Sequence, residues 1–111
     1  MNDLFLSWCD ERIAACQAQC KALRADNRGD EARFEQIRAN VCGVYRAVYA
    51  TLKDKPDLLG RKLREIPSAW EESLALAQSH GDAEKAHIER IKLDTAEEIG
   101  KVFKKIWEVN P

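Results

Sequence analysis

Apolar residues recur along this chain at alternating three- and four-residue steps, and they do so in four successive segments. Leu6, Cys9, Ile13, Cys16, Cys20 and Leu23 form the first ladder, and Phe34, Ile37, Val41, Val44 and Val48 the second. Leu59, Leu63, Ile66, Trp70, Leu74 and Ala77 form the third, and Ile88, Ile91, Thr95, Ile99, Val102, Ile106 and Val109 the fourth. That spacing places each set on one stripe of an α-helix. Four stripes of similar length must cover one another to leave water, so the expected fold is all-α, an antiparallel up-down four-helix bundle.

The helix ends follow from capping chemistry. Helices are predicted over about residues 3–26, 31–53, 56–79 and 83–108, in a single domain spanning 1–111. Asn2 or Asp3 caps the first. Gly29 tolerates the left-handed conformation that ends a helix, and Asp30 is positioned to cap the next; Gly81 and Asp82 repeat the device. Pro56 and Asp57 suit the first turn of the third helix. Pro67 removes a backbone donor and crowds the carbonyl of Leu63, and Ser68 with Glu71 spells a capping box, so the third helix is expected to be kinked or interrupted there. After each Gly-Asp turn, Ala32, Glu35 and Ile37 match Ala86, Glu89 and Ile91 at a constant offset. A duplicated helical hairpin and two independent solutions to one turn both account for this.

Composition narrows the class further. Charged residues make up 33% of the chain against only five glycines and three prolines, which suits long helices and leaves little for turns. A formal net charge of −1 argues against a surface given over entirely to polyanions. No run approaches the roughly 20 apolar residues that span a bilayer, and Asp3, Asp10 and Glu11 stand where a secretory signal needs a positive start, so a cytoplasmic protein without membrane contact is expected. The string from Ala25 to Tyr45, ADNRGDEARFEQIRANVCGVY, resembles a segment of small, uncharacterised helical proteins from bacteria. The resemblance contains no catalytic motif and implies no activity.

Several constellations in the chain have residue types that can carry chemistry. Cys16 and Cys20 face the same way on adjacent turns, and a hairpin about residue 28 brings Cys42 near the level of Cys16, a low-ranked set for zinc or copper(I). Cysteine on a buried stripe more often acts as a small hydrophobe, so free, reduced thiols are expected. Glu84 and His87 have the Glu-x-x-His spacing of di-iron bundles, but the second helix has no histidine to complete such a site. Arg28, Gly29 and Asp30 form an adhesion tripeptide that turn chemistry explains in full. No catalytic residue and no cofactor is expected.

Two surface features remain. Lys53, Lys55, Arg61, Lys62, Arg64, Lys101, Lys104 and Lys105 should gather at one end of the bundle, a basic end suited to nucleic acid or another polyanion, although acidic residues are interleaved with them. On the fourth helix Leu93, Ala96, Gly100, Phe103 and Trp107 form a second apolar row beside the main stripe. Gly100 lacks a capping role and costs about 1 kcal/mol against Ala, which suggests close approach by another helix. The favoured function is a non-enzymatic interaction or assembly module, a homodimer or the complement of an unknown protein partner. Phe103 and Trp107 would anchor its contact with help from Phe5 or Trp8. Polyanion binding through the basic end is the alternative, and a cysteine-based metal or redox role ranks last.

Overall fold

The computed structural model describes residues 3–109 of the chain, with side chains over 3–107. Four helices follow in order: α1 (Leu4–Ala25), α2 (Gly29–Leu52), α3 (Pro56–Ser79) and α4 (Ala83–Val109). They pack up-down, each against its neighbour in sequence, as the four stripes require. Val109, the last rung of the fourth ladder, and Asn2, one of the two expected caps, lie outside the described side chains. Among the described residues no helix is long and apolar enough to cross a membrane.

Caps set the ends of each element. Asp3 Oδ1 accepts hydrogen bonds from the backbone N–H groups of Phe5 and Leu6, both at 3.1 Å, and its Oδ2 accepts one from the Tyr49 hydroxyl at 2.9 Å. One carboxylate therefore starts α1 and ties it to the end of α2. Pro56 occupies the first turn of α3, and Gly81 (φ 70°) ends that helix, with the Asp82 side chain accepting from Lys85 N–H at 3.1 Å.

The first turn departs from expectation. Asn27, not Gly29, takes the left-handed conformation (φ 58°), and the Arg28 N–H closes the turn on Leu23 C=O at 2.8 Å. Asparagine tolerates that region through its short polar side chain. Gly29 is consequently helical, and Asp30 and Glu31 fall in the first turn of α2, where they complement the helix dipole instead of capping.

At Pro67 the third helix is one element, helical without a break from Pro56 to Ser79. Its apolar ladder is at least half-buried at every rung on both sides of the proline, which keeps the two halves in phase. Ser68 and Glu71 remain exposed within the helix and start nothing new.

The offset between the two hairpins is 54 residues, and the structure extends it beyond the sequence matches. Asn27 and Gly81 carry the two positive φ angles, and the closing bonds Arg28 to Leu23 and Asp82 to Ala77 are equivalent. Core residues pair the same way: Phe5 with Leu59, Val41 with Thr95, Cys42 with Ala96 and Tyr45 with Ile99 are all buried. Equivalent helices α2 and α4 meet across the middle, while α1 and α3 stay apart on opposite flanks, so the bundle is flat, 41 × 35 × 20 Å.

The main core lies toward the end where α1 begins. Phe5 is fully buried there, its ring 4.8 Å from Tyr49 and 5.3 Å from Phe103 between centroids. Cys20, Leu23 and Ala32 form a separate small cluster near the α1–α2 turn. Val44, a rung of the second ladder, is exposed. Because α2 packs against α1 on one side and α4 on the other, its buried face is centred on Val41, Cys42, Tyr45 and Tyr49 instead.

The repeat includes an ion pair. Arg38 meets Glu35 at 2.8 Å, and at the equivalent positions Lys92 meets Glu89 at 3.1 Å. Glu89 is the buried member, 5% exposed, and its Oε2 has no hydrogen-bond partner among the described residues. Removing Lys92 strands a buried carboxylate, so Lys92→Ala is expected to cost about 1–3 kcal/mol. Arg38→Ala, at a wetter pair, should cost less than about 1 kcal/mol. Urea denaturation of both variants checks this, and equal losses would mean that Glu89 finds water after all.

Candidate binding cleft

Between α3 and α4 the packing opens into a cleft of about 570 Å³. Gly60, Leu63, Arg64 and Pro67 form the α3 wall, and Ala96, Ile99, Gly100, Phe103, Lys104 and Trp107 the α4 wall. Tyr45 of α2 closes the bottom, where it is 4% exposed. The volume falls within the range of about 300–1,000 Å³ usual for small-molecule sites.

The internal repeat explains why the cleft exists. In the first hairpin the equivalents of Gly60 and Gly100 are Leu6 and Arg46, and the equivalent of Arg64 is Asp10. There Arg46 crosses to Asp10 and the two helices pack closely, with Leu6 against the core. In the second hairpin both bulky residues are glycine, no carboxylate faces the gap at the equivalent position, and the wall stands open. A side chain at Gly100 would meet nothing within 4 Å from its Cβ. Among the described residues no other helix comes within contact of that position; Gly100 makes room in a cleft.

Four of the five residues predicted as an interface therefore share one wall: Ala96, Gly100, Phe103 and Trp107. Leu93 lies farther along α4, in a shallower depression with Pro67, Glu71 and Glu97. Phe5 takes no part, because its ring is sealed inside the aromatic cluster, which corrects its expected role as an anchor. Trp8 is half-buried, its ring 6.4 Å from that of Phe5, while Trp107 leans on Phe103 at 5.2 Å. The α3 wall and Tyr45 were not anticipated. Gly60, a glycine inside α3, was the signal for them.

The basic residues are all exposed, as expected for the end at which α3 starts and α4 finishes. Lys62 pairs with Glu65 at 3.5 Å and Lys101 with Glu97 at 3.3 Å, so part of the positive charge is balanced locally. Arg64 forms no ion pair among the described residues and lies back over Gly60, one guanidinium nitrogen 3.4 Å from where a Cβ would be.

The cysteines are free and buried. Cys20 sits in the small cluster with Leu23 and Ala32, and among the described residues no three His, Cys, Asp or Glu side chains converge on a metal position. Burial pushes the Cys42 thiol up to about 11, with the Cys16 thiol nearby adding to it. Cys16 is raised by burial too, although Arg12 donates a hydrogen bond to its sulfur at 3.2 Å. Neutral thiols in a dry core suit packing better than nucleophilic or ligand chemistry. Glu84 faces Arg33 at 3.6 Å and His87 meets the edge of Phe34 at 4.9 Å, so the Glu-x-x-His pair is engaged in joining α2 to α4.

Comparison with protein-family models, with curated proteins and with solved structures finds no match to this chain. The chain is a small all-helical protein.

Proposed function

We propose that this protein is a non-enzymatic binding module, and that the cleft between α3 and α4 is where it receives an apolar partner. The observation that carries this reading is the contrast between the hairpins: the same framework is filled in one and open in the other. Gly100 supports it, since a mid-helix glycine costs about 1 kcal/mol against alanine and no neighbouring atom among the described residues demands it. A small-molecule or peptide-sized apolar group is the natural occupant. Free thiols and the helical bundle fit a cytoplasmic setting in bacteria.

A second reading follows from Trp107, which is only half-buried at the mouth of the cleft. Two copies of the chain would pair through the row from Leu93 to Trp107, the homodimeric form of the same module.

A neutral, apolar fluorescent dye such as N-phenyl-1-naphthylamine tests the shared claim. The folded protein is expected to bind it with enhanced emission. Gly100→Leu, which extends into open space and improves helix propensity, should weaken binding about tenfold or more without loss of helicity. A folded wild-type protein that leaves the dye dark overturns the reading.

A further inference from the structure

Beyond its apolar walls, the cleft has a charged edge that points to a chemical class of ligand. Arg64 on α3 and Lys104 on α4 stand on its two sides, and both are exposed. Among the described residues that line it there is no acidic side chain. The first hairpin shows what this arrangement lacks: there the equivalent of Arg64 is Asp10, and it neutralises Arg46 across the helix pair. Exchanging that ion pair for Arg64 and Gly100 removes the bulk and leaves a cation at the edge of an apolar gap.

We infer that the cleft binds an amphiphile with an apolar body and a single anionic end, of the fatty-carboxylate type, its chain against Leu63, Phe103 and Trp107 and its carboxylate at Arg64 and Lys104. The inference rests on the binding-module reading and adds the identity of the head group. The guanidinium matches a carboxylate with paired N–H donors, and Lys104 adds a second positive charge from the facing helix. The burial of a hydrocarbon chain supplies the affinity, and the cations set which end stays at the surface. Pro67 contributes on the α3 side, since it offers the cleft a ring and no backbone N–H.

Displacement of the neutral dye by dodecanoate and by dodecanol, at low ionic strength, tests the inference. Dodecanoate is expected to compete about tenfold better than dodecanol, and Arg64→Gln should bring the ratio of the two competitors, measured in that same variant, close to one. Equal competition by acid and alcohol in the wild-type protein, or an advantage that survives Arg64→Gln together with Lys104→Gln, overturns the anionic class and leaves the binding module standing. Failure of the dye itself removes the module and this inference with it. Light scattering of the same samples reads the remaining occupant: a mass of two chains that falls to one in Trp107→Ala, with no displacement by dodecanoate, assigns the cleft to a second copy and overturns the amphiphile.

Discussion

Phe5→Ala is expected to remove about 3–5 kcal/mol of stability, a large share of the roughly 5–15 kcal/mol typical of a domain. The side chain is fully buried, and its ring touches Tyr49 from α2 and Phe103 from α4. It is therefore the point at which three helices are joined. Truncation leaves a cavity that neighbouring rings, held in tilted and edge-on contacts, are poorly placed to fill. Phe103→Ala is the comparison. That ring is half-buried beside the cleft, so its loss opens an existing gap and should cost about half as much. Urea denaturation decides the order of the two, and a Phe5→Ala protein that keeps the wild-type midpoint would mean that this aromatic cluster is not the centre of the core.

The ladder that exposed four helices did not reveal Phe5, and the reason is geometric. A three-and-four spacing identifies one line of a helix surface, and in α1 that line runs through Leu6 and Cys9. The buried face is broader near the start, where Tyr49 and Phe103 converge, and it takes in the residue one step back. The same limitation put Val44 inside, although a helix packed on two sides buries a wider and differently centred face. Caps were legible where one residue has one natural use, as with Pro56 and Gly81. They were not where two residues compete for the same conformation, as Asn27 and Gly29 do.

Half of the cleft could be read from sequence. Ala96, Gly100, Phe103 and Trp107 form a row with helical spacing, and a mid-helix glycine asks for an explanation. The facing wall was hidden because its signals had other uses. Pro67 looked like a break in α3, Arg64 like a member of the basic end, and Gly60 drew no reading at all. Only the pairing of α3 with α4 puts these three opposite the row. The 54-residue offset, partly visible in sequence, becomes informative once the positions that differ between the hairpins are seen to cluster in one place.

Alkaline pH should unfold this protein more readily than its modest net charge suggests. Burial pushes the Cys9 thiol from its ordinary 9.0 up to about 12, with the neighbouring Cys42 and Asp10 adding to it, and takes Cys42 to about 11. Burial also takes Tyr45 and Tyr49 from 10.0 to about 12, the latter helped by its bond to the Asp3 carboxylate. All four groups release their protons later in the folded chain than in the unfolded one. The unfolded state consequently loses protons first as pH rises, and every group that has ionised there but not in the fold drains stability by about 1.4 kcal/mol per pH unit. The contribution of the thiols is intact below about pH 9, that of the tyrosines below about pH 10, and both are lost as pH climbs toward 11–12. A series of urea midpoints should be level from pH 7 to about 8.5 and fall ever more steeply above about pH 10, with Cys9→Ala giving a shallower fall. At pH 8 a thiol reagent should find none of the four cysteines until denaturant is added. A midpoint that holds steady to pH 11, or two thiols that react promptly in the folded protein, would show that the core around Cys9 and Cys42 is open to water.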